Sequence, residues 1–139
     1  METITTIISL LSRYGMMFVK GTGVTLYMAF LTVLFGAILG SLICLARRVN
    51  FAPLRWVAAA YVEVIRGTPM LVQILFWFLG FPVVCKAITG SAVNIDPYAI
   101  GIIAMGINSG AYSCELIRSA IMAVDRGQWE AAQSLGLSY

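Results

Sequence analysis

The 139-residue chain has no histidine, and Asp, Glu, Lys and Arg together make up only 11% of it. An average globular chain is about 25% charged, so too few polar groups are present to cover a water-soluble ball of this size. Without an imidazole base, Ser109 beside Gly110 does not read as a hydrolytic serine. Asp96 and Asp125 fall at expected helix ends and form no facing carboxylate pair. Cysteine is sparse. Cys44, Cys85 and Cys114 lie far apart with no C-x-x-C pair, which excludes a zinc or redox centre of the usual spacing. No G-x-x-x-x-G-K-[ST] phosphate loop occurs, so that kind of nucleotide site is not carried here. The nine Lys and Arg are scattered and form no basic stripe interleaved with aromatics, which argues against nucleic acid.

What the chain has is long uncharged sequence, with a mean hydropathy of +0.92. Residues 21–46 carry no charge and are bracketed by Lys20 and Arg47. A helix of that length reaches roughly 39 Å, enough to cross a hydrocarbon core of about 30 Å with tilt. Residues 1–20, including TIISLLSRYGMMFVK, are expected as a separate helix along the membrane surface. A second uncharged run covers 67–85, entered through a helix that starts at Asn50 and Pro53. Pro69 has no N–H to give the carbonyl of Ile65, so the helix should bend around 67–69. The third run, 97–114, continues helically towards Val124, and KAITGSAVNIDP between the runs reads as a loop. The expected fold is therefore all-α and integral to the membrane, with three transmembrane helices.

The basic residues set the orientation. With three spans, Arg47, Arg48, Arg55, Arg66, Arg118 and Arg126 share one side, and Arg13, Lys20 and Lys86 the other. The positive-inside rule puts the larger group in the cytoplasm and the N-terminus outside. Gly36-x-x-x-Gly40 and Gly106-x-x-x-Gly110 have the spacing that lets helices approach closely, without saying which helix is the partner. Cys44 and Cys114, inside apolar runs, read as small hydrophobes.

At about 100° per residue, Asn108, Tyr112, Glu115 and Ser119 share one face of the third helix. Polar groups at membrane depth are costly unless they face a bundle interior or a wet cavity. The face is thus either the wall of a translocation route, with Asn108, Tyr112 and Glu115 as its residues, or a set of interhelical bonds. Glu115 suits the ammonium of an amino acid, and equally pairs with Arg118 one turn on. Glu63 and Arg66, three apart, are expected to neutralise each other, and Arg66, Gly67 and Pro69 mark a hinge candidate.

The chain closes on GQWEAAQSLGLSY. Gly127 and Gly136 bracket a short helix in which Ala131 and Ala132 offer a flat surface and Gly136 occupies the C′ position. A helix of about 12 Å is marginal alone in water, so it should dock onto something on the cytoplasmic side. The alternative is an amphipathic tail resting on lipid through Trp129.

GQWEAAQSLG resembles the first half of the EAA loop of ABC importer permeases. NSGAYSCELIRSAIMAVDRGQWEAA and YVEVIRGTPMLVQ are similar to the family's amino-acid branch, and GTGVTLYMAFLTVLFGAILG to its first helix. The likeness covers about 21–139 and implies the transmembrane domain of a type I importer permease, of which this stretch would be the N-terminal part, ending within the coupling loop. It implies that Gly127, Glu130, Ala131, Ala132 and Gly136 couple the chain to a separate ATP-binding subunit. ATP would be bound and hydrolysed there, this chain holding no cofactor and being no enzyme. The further partners implied are a second permease chain, identical or related, an extracytoplasmic substrate-binding protein and a polar amino acid of the histidine, glutamine or arginine type. The implied location is the inner membrane, multi-pass, with the coupling segment cytoplasmic. The alternative is a transport-inactive membrane protein serving only as an interaction module.

Overall fold

The computed structural model describes residues 2–91 and 96–137, all of whose regular structure is helical. Asn94, expected in the loop between the second and third spans, lies outside the described residues. Three helical stretches are long and apolar enough to cross a membrane: Ser12–Ala46, Met70–Thr89 and Pro97–Met122.

The first helix, α1, runs unbroken over Glu2–Ala46. The expected separate helix over the first twenty residues is therefore corrected to a continuous one. No proline interrupts the segment, and Gly15, Gly21 and Gly23 cost a helix only about 1 kcal/mol each relative to alanine. At about 1.5 Å per residue, α1 is much longer than a hydrocarbon core of about 30 Å.

Helix α2, Ala52–Gly67, begins one or two residues later than Asn50 suggested, with Phe51 at the N-cap and Pro53 in the first turn. It does not bend at its end but stops. Thr68 (φ −111°, ψ 139°) and Pro69 (φ −60°, ψ 134°) are both extended. The ring of Pro69 crowds the preceding residue out of the helical region. Helicity resumes in α3, Met70–Leu75, widens into a π turn at Phe76–Gly80, and continues as α4, Phe81–Thr89. Sequence reasoning passed over the π turn although Pro82, next to it, was the signal. Phe81 donates its N–H to the Phe76 carbonyl five residues back, and the wider turn makes room for a ring with no N–H of its own.

Helix α5, Pro97–Met122, is the centre of the bundle. It starts where Asp96 accepts the Ala99 N–H at 2.9 Å, lies along α1, and is touched by α2, α3 and the π turn. The two small-residue motifs explain the closeness. A Cβ on Gly36 would sit 2.5 Å from Ser109 Oγ, and one on Gly40 would sit 2.6 Å from Ser113 Cβ and 2.7 Å from the Gly110 carbonyl. A Cβ on Gly110 would meet Leu39 at 3.0 Å and the Tyr61 hydroxyl at 3.1 Å. The motif of α1 thus faces the motif of α5. Below it, Cys44, Val62 and Cys114 form a buried cluster from α1, α2 and α5, and both cysteines are free thiols. Tyr61 locks α2 onto α5 by donating its hydroxyl to the Ile107 carbonyl at 2.6 Å.

Candidate functional site

The polar face of α5 meets arginines from two other helices. Glu115 receives Arg47 from the end of α1 at 3.2 Å and Arg66 from the end of α2 at 3.8 Å. Arg118 grips it from one turn on, its Nε donating to Oε1 at 3.0 Å and Oε2 at 3.1 Å, with a still closer Nη2 contact to Oε1. Three guanidiniums on three helices therefore converge on one carboxylate, whose side chain is 18% exposed. In a poorly hydrated setting such a charge persists only if it is paired, and here the positive side is in excess. Arg66 also stands over the Tyr112 ring, 5.5 Å from its centroid, a cation–π position. The expected Glu63–Arg66 pair is corrected: among the described residues, the ion pair of Arg66 is with Glu115. Sequence spacing favoured the neighbour on the same helix, whereas packing brings α5 nearer.

Beside this cluster lies an open concavity of about 420 Å³, bordered by Arg66, Ser109, Tyr112, Ser113, Glu115 and Ser119. Tyr112 and Glu115, two of the three sequence candidates for a route, border it. The third is placed differently. Asn108 donates its Nδ2 to Gln73 Oε1 at 3.1 Å, so it ties α5 to α3. Asn108 and Glu115 thus make interhelical bonds, one of the two alternatives for this face. The larger concavity, about 860 Å³ along residues from Ile7 to Leu26, is lined by α1 alone and holds no ionisable group except the Tyr14 phenol.

The hinge candidates lie at the break. Gly67 ends α2 with open space where a Cβ would stand, Pro69 is extended, and Arg66 is held at Glu115. Gln73 bridges the gap, and sequence reasoning missed it although it closes the stretch RGTPMLVQ.

The closing helix, α6, covers Arg126–Ser134, so Gly127 is inside its first turn and not at its boundary. Asp125 is the N-cap, accepting the Gly127 N–H at 2.7 Å. Gly136 adopts φ +74°, its N–H donating to Gln133 at 2.9 Å, while Leu137 N–H reaches Ala132 at 3.1 Å. Those two bonds close the last turn in the left-handed manner glycine allows. Glu130, Ala131 and Ala132 sit mid-helix. Among the described residues the backbone of α6 does not come close to that of another helix. Being short, it depends on its caps, so Asp125→Ala is expected to cost the segment about 1 kcal/mol. Amide exchange in 126–132 should speed up several-fold, leaving α5 unchanged.

A three-span helical bundle with an arginine-bound carboxylate and a capped terminal helix describes a class of membrane component, and comparison supplies the family. The chain belongs to the binding-protein-dependent transport system inner membrane components, whose family pattern matches residues 32–139. It is similar to the "Probable amino-acid ABC transporter permease protein YckA" of Bacillus subtilis, 44% identical over 121 residues, covering 87% of this chain and 50% of that one. The L-cystine transport system permease protein TcyB of the same organism is 41% identical over 115 residues, covering 83% of this chain and 46% of that one. A solved crystal structure of an amino acid ABC transporter with histidines superposes with a TM-score of 0.80 at 41% identity, over 93% of this chain and 57% of that one. The chain spans about half the length of the curated relatives it matches.

Proposed function

We propose that this chain contributes the membrane pathway of an ATP-driven importer of polar amino acids, and that α6 is the part that engages a separate ATP-binding subunit. One observation carries the reading: α6 is capped at both ends by its own residues, follows directly on the last span and exposes Glu130, Ala131 and Gln133. A two-turn helix held in shape by its own caps, with polar and small side chains exposed, fits a groove on another molecule. Residues Glu130, Ala131 and Ala132 present that surface, Gly127 lets the first turn close on Asp125, and Gly136 ends the helix sharply. The ATP-binding subunit would supply the nucleotide chemistry. A second permease chain and an extracytoplasmic binding protein would complete the importer.

Support for the orientation comes from Arg47, Arg66 and Arg118 meeting at Glu115, since three of the six residues assigned to the cytoplasm thus lie at one end of the bundle. The N-terminus is then outside and α6 inside. Support for the route comes from Tyr112 and Glu115 at the open concavity, with Arg66 as the basic group there. Because Glu115 is already engaged by three arginines, its pull on an ammonium is largely offset, and the excess positive charge favours a substrate's carboxylate.

Affinity capture of the tagged chain from bacterial membranes expressing an amino-acid importer's ATP-binding subunit tests the reading. The subunit should be retained, and Gly136→Val, whose branched side chain resists a positive φ, should reduce retention at least about tenfold. Retention that is absent, or indifferent to Gly136→Val and Ala132→Asp alike, would overturn it.

A further inference from the structure

Gln73 is the buried polar side chain among the described residues, 8% exposed, in a segment otherwise apolar enough to cross a membrane. Its Nε2 donates to the Ile65 carbonyl at 2.7 Å, and lies 2.8 Å from Thr68 Oγ1 and 3.1 Å from the Thr68 carbonyl. Its Oε1 accepts from Asn108 at 3.1 Å. The Ile65 carbonyl is the one that an uninterrupted helix would have bonded to the N–H of residue 69, which Pro69 lacks. Gln73 sits one turn beyond the proline and returns over the break the amide that the proline removed. Thr68 Oγ1 caps the same end, donating to Val64 at 2.9 Å.

We infer that Gln73 is a positioning residue that latches the break at Thr68–Pro69, fixing α3 against the end of α2 and tying both to Asn108 on α5. The joint is then no free swivel. For α2 to turn relative to α3, the 8% exposed Gln73 amide must leave its acceptors, and a buried amide that loses its partners is costly. The consequence for transport rests on the proposed function: displacement reaching the Arg66 end of α2 passes to α3 and α5 together instead of dissipating at the break.

Hydrogen exchange on the full chain in lipid nanodiscs tests the latch without transport, substrate or partner, so its outcome is separate from that of the permease reading. The Val72 and Gln73 amides, both bonded to the Pro69 carbonyl, report the first turn of α3. Gln73→Leu should speed exchange there about tenfold, as expected for leaving the half-buried Ile65 carbonyl with only the Thr68 hydroxyl at 3.3 Å and Asn108 without its acceptor, while amides where α5 faces α1 hold their rates. Pro69→Ala restores an N–H for Ile65. In that background Gln73→Leu should change exchange by less than about threefold. The inference is overturned if Gln73→Leu leaves these amides unchanged, if exchange rises equally throughout α1 and α5, or if Pro69→Ala gives no rescue.

Discussion

Gly40→Leu is expected to separate α1 from α5 and to be the most damaging single change in the bundle. The first carbon of the new side chain would be 2.6 Å from Ser113 Cβ and 2.7 Å from the Gly110 carbonyl. One of those neighbours is backbone and cannot rotate away, so the helices themselves must part. Parting loses the close packing that holds helices together where lipid tails are as apolar as the side chains. Overpacking of this kind costs roughly 1–3 kcal/mol where the neighbours can shift, and more where they cannot; about 3 kcal/mol or more is expected here. Cys44 and Cys114, buried directly beneath, provide the readout. Their reaction with a maleimide should accelerate at least about tenfold, following the fraction of opened bundle. Gly23→Leu, at a site with nothing within 4 Å, is the matched control and should change little. Equal thiol reactivity in the two variants would contradict the facing of the two glycine motifs.

Glu115→Gln is expected to have the second largest effect, because it strands three guanidiniums at once. Removing one partner of a buried ion pair costs roughly 3–5 kcal/mol. The figure must be reduced here, since Arg66 and Arg118 are 41% and 42% exposed and water screens part of the interaction. About 2 kcal/mol remains, Arg47 being the least exposed of the three arginines at 23%. Thermal unfolding in detergent or nanodiscs measures it. Adding Arg47→Gln to Glu115→Gln should recover part of the loss, because the cation left unpaired is then gone. A double variant less stable than the single one would show that Arg47 acts by packing and not by charge.

Much of this molecule is legible residue by residue. The uncharged runs predict the three spans, because crossing a hydrocarbon core needs about twenty apolar residues and nothing else in a short chain supplies them. Pro69 announces the interruption of the second span, Gly136 the end of α6, and the burial of Cys44 and Cys114 follows from their apolar neighbours. These are local statements, and local chemistry suffices for them. The EAA segment and the two motifs before it were likewise readable as the family to which the chain belongs.

Other features depend on which helix lies beside which. Gly36 and Gly40 promised close packing without a partner, and only the fold sets them against Ser109, Gly110 and Ser113. Arg66 has an acidic neighbour one turn away on its own helix, yet pairs with Glu115, because α5 presents a carboxylate already held by Arg118. Asn108 shares a helical face with Tyr112 and Glu115, but α3 claims it through Gln73. Periodicity places residues on a face and leaves open what that face meets. Sequence by itself determined the three spans, the interruption at Pro69 and the polar stripe of α5; the tertiary structure decided the partners, since a hydrogen bond or ion pair between helices depends on distances that no spacing along one chain encodes.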